Sequence, residues 1–76
     1  MWDDMKKFIE QRTDTDILAK THAFKVTAFA RKLAYEYTQT PQAKRASIMY
    51  PEALEMIEPE IVRLHSKAKA LKRRGD

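Results

Sequence analysis

Two histidines, a single glycine and no cysteine set the chemical range of this 76-residue chain. His22 and His65 supply its imidazoles, the groups best suited to proton transfer near neutral pH. Neither has a nucleophile at an informative spacing. Ser66 follows His65 directly, and adjacent side chains on a helix point in different directions. Both histidines therefore read as hydrogen-bonded, partly buried packing residues. Without cysteine there are no thiolate nucleophiles and no disulfides, and two histidines with scattered acids make no recognisable metal site. Glu52, Glu55, Glu58 and Glu60 lack the glycine of a calcium loop. The one glycine, Gly75, is penultimate, so a glycine-rich phosphate loop is absent too. The expectation is a non-enzymatic protein with no cofactor, no metal and no small-molecule substrate.

Charge is the next resource, and it is distributed in blocks. Residues 1–16 carry five acids against three bases, residues 17–50 six bases against one acid, residues 51–62 four Glu and no base, and residues 63–76 six bases against one acid. The net charge of +4 conceals two basic zones. Clustered cations neutralise phosphates and release counterions, which makes nucleic acid or a nucleoprotein complex the first partner class. The candidate contacts are Lys25, Arg31 and Lys32 in the centre and Arg63, Lys67, Lys69, Lys72, Arg73 and Arg74 near the end. Cations at a helix carboxyl terminus also stabilise the helix dipole, which gives the terminal cluster a second, purely structural explanation.

Those side chains need elements to hold them, and the local pattern is helical, with no alternating strand signature of useful length. A first helix at 2–12 gathers Trp2, Met5, Phe8 and Ile9 on one face. Thr13-Asp14-Thr15-Asp16 breaks it, and Thr13 with Asp16 approximates a capping box for the next helix. Residues 14–38 contain neither Gly nor Pro. Leu18, His22, Val26, Phe29, Leu33 and Tyr37 recur at spacings of three and four, which predicts one long central helix. Thr40-Pro41 opens a short helix at 41–50. Pro51 and Pro59 mark boundaries of further helices at 51–58 and 59–74, the last with Ile61, Leu64, His65, Ala68 and Leu71 along one stripe. The fold class expected is all-α, a compact bundle of four to five helices forming a single domain over 1–76.

The central helix carries a second apolar row. Ile17, Phe24, Ala28 and Tyr35 fall nearly opposite the first stripe, with Arg31 as a polar anchor at the edge. Either the bundle encloses this row or a partner covers it. A small adaptor, inhibitor or assembly subunit of phage or mobile-element type, or a homo-oligomer, is thus the alternative to a nucleic-acid binder. A chain this short also buries only a thin core, which favours association with something larger.

Residues 18–33 also resemble the helix-turn-helix motif of DNA-binding regulators. Ala19 stands at its small position, Ala23 at its turn, and Phe24, Phe29 and Leu33 at apolar positions. The resemblance implies that Lys25, Thr27, Ala28 and Arg31 face the major groove. Uninterrupted periodicity through Ala23 argues for the straight helix instead. No apolar run approaches the roughly 18 residues of a membrane span, and no basic-then-apolar leader pattern opens the chain. A cytoplasmic protein without membrane contact is expected.

Overall fold

The computed structural model describes the backbone of residues 2–75 and the side chains of residues 2–72. Five helices run through these residues: α1 (Trp2–Arg12), α2 (Thr15–Lys20), α3 (Ala23–Thr38), α4 (Pro41–Arg45) and α5 (Tyr50–Gly75). The all-α bundle is therefore correct, and no strand occurs among the described residues. The body measures 45 × 22 × 14 Å. At 1.5 Å per residue, the 26-residue α5 alone spans about 39 Å of the long dimension. α3 and α2 lie antiparallel along it, and α1 and α4 close the sides.

Burial follows the amphipathic pattern. Met5, Phe8 and Ile9 from α1 meet Val26, Ala30, Leu33, Ala34 and Tyr37 from α3 and Ala53, Ile57 and Ile61 from α5 in one cluster. Phe8 and Tyr37 pack edge to face, with ring centroids 5.3 Å apart. Burial, and secondarily the Asp4 carboxylate, raise the Tyr37 phenol above its ordinary pKa, so it stays neutral. A smaller cluster of Leu18, Ala19 and Ala68 ties α2 to the far half of α5.

The expected long helix at 14–38 is divided. Thr21 and His22 take extended backbone angles, φ −83°, ψ 135° and φ −68°, ψ 147°. Four of the carbonyls around this break have partners. Thr21 Oγ1 donates to the Ile17 carbonyl and Thr21 N–H to that of Leu18, while α5 contributes Lys69 Nζ to the Ala19 carbonyl and His65 Nε2 to the Thr21 carbonyl. Periodicity records which faces are apolar. It does not record that a buried imidazole on a neighbouring helix needs an acceptor.

Three boundaries also move. Asp14, not Thr13, caps α2, accepting from the N–H groups of Asp16 and Ile17, while the Thr13 hydroxyl donates to the Ile9 carbonyl at the end of α1. The short helix forecast for 41–50 ends at Arg45. Its Thr40 cap is as expected, but Ser47 enters the left-handed region at φ 57°. Ser47 N–H then bonds to the Lys44 carbonyl and Ile48 N–H to the Ala43 carbonyl, a Schellman turn that drives Ile48 into the core. Finally, the helices forecast at 51–58 and 59–74 are one. Pro51 sits in the first turn of α5 as anticipated, whereas Pro59 lies inside the helix. Ala53, Ile57 and Ile61 are fully buried on one continuous stripe. Pro59 and Glu55, whose carbonyl would have accepted from residue 59, are both exposed, so water can reach the vacant acceptor.

Ser47 adopts a backbone region that costs a residue with a Cβ about 1–2 kcal/mol relative to glycine. Ser47→Gly is therefore expected to stabilise the fold by about 1 kcal/mol, a rise in Tm of about 4–8 °C in thermal melts followed by circular dichroism.

Candidate binding face

α3 presents two unlike sides. Val26, Ala30, Leu33, Ala34 and Tyr37 are buried against the bundle. Successive residues advance by 100°, so Phe24, Ala28, Arg31 and Tyr35 gather on the opposite side, with Lys25 and Lys32 along one flank. All six are exposed. Phe24 is 72% and Tyr35 61% accessible, values unusual for aromatics on a helix already packed on its other side. The second apolar row is thus uncovered. His22, expected to be partly buried, is instead exposed before the first turn of α3 and stacks on Phe24 at 5.7 Å. Ile17 is 67% exposed but belongs to α2, so the Thr21–His22 break removes it from the helical register of the α3 row.

The break does not coincide with the turn that the helix-turn-helix resemblance implies. It falls at Thr21 and His22, Ala23 already belongs to α3, and Phe24 is exposed where the motif needs a buried apolar residue. Lys25, Ala28 and Arg31 do face outward, and Thr27 is half-buried with its hydroxyl bonded to the Phe24 carbonyl.

A second feature joins the row at its carboxyl-terminal end. Tyr35, Thr38, Ser47, Ile48, Met49 and Tyr50 line a groove of about 450 Å3, with Lys44 among its remaining walls. Met49 is 69% exposed there. Sequence periodicity missed Met49 because it lies in the non-helical link between α4 and α5, where no repeat assigns a face. The signal that could have found it is the Ile48-Met49-Tyr50 run immediately before Pro51, too short and too apolar for an ordinary solvated link.

The terminal basic candidates fare differently from the central ones. Arg63 is exposed but makes a bidentate pair with Glu60, at 3.1 Å from Nε and 2.7 Å from Nη2. That pairing, partly opposed by desolvation and reinforced by the Arg63 and Lys6 charges, holds the Glu60 carboxyl below its ordinary pKa. Lys69 is half-buried and donates to Ala19 at 3.0 Å. Lys67 and Lys72 are exposed on α5, and Lys67 borders a separate cleft with Glu10 and Leu18. The side chains of Arg73 and Arg74 lie outside the described residues.

Chemistry at the histidines is limited by their contacts. A carbonyl only accepts, so the His65 Nε2 facing Thr21 at 2.8 Å carries the proton. Among the described residues no hydroxyl is hydrogen-bonded to either histidine, and no group of three or more His, Cys, Asp or Glu is placed to hold a metal ion. No described helix is long and apolar enough to cross a membrane. Comparison with protein-family profiles, curated proteins and solved structures returns no match to this chain.

Two outcomes test this geometry. Lys69→Met keeps the aliphatic stem but removes the donor to Ala19, and His65→Ala removes that to Thr21; each should cost about 1–3 kcal/mol in urea denaturation, with a non-additive double variant because both cap one break. For Glu60, a folded-state pKa below the unfolded one means that the pair stabilises above the ordinary carboxylate range and loses this contribution as pH falls through the lowered value. Glu60→Gln should therefore be less stable than the parent at pH about 7, and the gap should narrow at pH about 3.

Proposed function

We propose that this protein is a non-enzymatic binding module that engages a protein partner through the outer face of α3. The single observation that carries the reading is the exposure of Phe24 and Tyr35 on a helix whose other side already completes the core. Burying a side chain of this kind is worth about 1.5–3 kcal/mol, so a face that leaves two aromatics in water forgoes stability that a partner can recover. Aromatic residues beside an arginine, here Arg31, are also the composition from which interface hot spots are built. The role that fits is an adaptor, inhibitor or assembly subunit in the cytoplasm, of the sort phage and mobile elements encode.

Nucleic acid is the second reading, favoured by Lys25, Arg31 and Lys32 standing exposed beside aromatics on which bases can stack. It is weakened at the terminal cluster. Arg63 is bound to Glu60 and Lys69 to the α2 carboxyl terminus, which leaves Lys67 and Lys72 as the free described cations of that set.

The Phe24→Glu, Tyr35→Glu double variant separates the readings. It should keep its helical circular dichroism and a Tm within about 5 °C of the parent, because neither side chain supports the core. In affinity capture from native lysate, the parent should retain a partner that survives nuclease treatment and that the folded variant loses. A variant that unfolds, or a capture abolished by nuclease, would falsify the protein-binding reading.

A further inference from the structure

Resting on the α3 docking reading, we propose that the occupant of this face is an acidic amphipathic segment of another protein. Its apolar side chains would lie over Phe24, Ala28 and Tyr35 and enter the groove beside Met49, while its carboxylates meet Lys25, Arg31, Lys32 and Lys44.

Charge complementarity chooses this occupant. The four cations are exposed, and no salt bridge among the described residues engages them. The one acid of α3 is Glu36, half-buried one turn beyond Lys32 on the same flank, with no salt bridge to it among the described residues. The groove walls contain Lys44 and no acid. A partner placing carboxylates along the lysine flank gains charge-assisted contacts at a solvent-exposed rim, where they speed encounter and select against basic sequences.

Shape adds a length and an anchor pattern. Phe24 and Tyr35 are eleven positions apart, about 16 Å along the axis, with Ala28 between them as a low saddle that lets a backbone approach. The row therefore suits a partner helix of three to four turns with apolar residues at i, i+3 or i+4, and i+7. Past Tyr35 the ridge gives way to the groove, and the exposed Met49 supplies an adaptable wall for one further apolar side chain.

A second copy of this chain fits less well. Packing α3 on α3 brings the Lys25, Arg31 and Lys32 rows of both copies to one interface with only Glu36 to offset them. Phosphates would satisfy those cations but leave the groove at Met49 unfilled.

Selection of peptides of about 16 residues from a random display library, on the immobilised full chain, tests the assignment. Enriched peptides should combine at least two large apolar residues with a net negative charge. They should bind the folded Phe24→Glu, Tyr35→Glu variant about tenfold more weakly or worse. Lys25→Glu with Lys32→Glu should invert the charge preference. Enriched peptides that require Phe24 and Tyr35 but are neutral or basic overturn the acidic occupant and leave the docking face intact. Peptides indifferent to both aromatics, or no enrichment at all, overturn the docking face as well. If a short DNA duplex perturbs the α3 amides and displaces the peptides, with steep weakening in salt, the face belongs to nucleic acid and the proposal fails.

Discussion

Two side chains on one turn of α5, His65 and Lys69, hold the carbonyls that a broken helix would otherwise leave without donors. Backbone acceptors at a helix end must find partners, and burying one unpaired costs about 1–3 kcal/mol. Here Thr21 supplies two donors from its own backbone and hydroxyl, and α5 supplies the other two. The break depends on α5 being helical through residues 65–69, and the buried His65 in turn depends on the break for its acceptor. Each condition satisfies the other, so this polar contact set fixes where α2 ends and α3 begins, while the apolar clusters hold both helices on α5.

That contact set requires α5 to continue through Pro59. A proline inside a helix removes one hydrogen bond and crowds the preceding turn, at a cost of about 3 kcal/mol. Burial opposes this. Ala53, Ile57 and Ile61 are each fully inaccessible, and their stripe would be cut if the chain restarted at Pro59. Keeping several apolar side chains buried outweighs one lost bond, particularly as Pro59 lies on the solvent side. The resulting long helix is the rail to which α1, α2 and α3 attach, and it leaves α3 with one side free.

What was legible in the sequence was whatever a single segment decides for itself. The apolar face of α1 from Met5 to Ile9, the Thr40-Pro41 start of α4, the buried stripe of α3 from Val26 to Tyr37 and that of α5 from Ile61 to Ala68 follow from spacing and capping chemistry, whereas Trp2 and Leu71, at the outer ends of their stripes, are exposed. The second row of α3 was visible too, as Phe24, Ala28 and Tyr35, though spacing alone could not say whether the bundle would cover it. The errors fall where a distant residue decides. No local rule ends a helix at Lys20 in a stretch without Gly or Pro, because the donors that support the ending are 44 and 50 residues away. Pro59 is the converse case, a strong local stop overridden by burial on both sides of it. Ser47 lacks the glycine that normally announces a left-handed cap, so the early end of α4 carried no signal.

The same distinction separates the two groups of basic residues. Read along the chain, Arg63, Lys67, Lys69 and Lys72 form the denser cluster and the stronger electrostatic feature. In three dimensions Arg63 is paired with an acid one turn earlier, and the Lys69 ammonium, though still charged, is tied to the Ala19 carbonyl at the end of α2. Lys25, Arg31 and Lys32 are fewer and less conspicuous, yet among the described residues they have no such partner and stand beside uncovered aromatics. Cations with no ion pair among the described residues, next to aromatic surface that the described residues leave uncovered, are what support the α3 reading over one placed on the terminal helix.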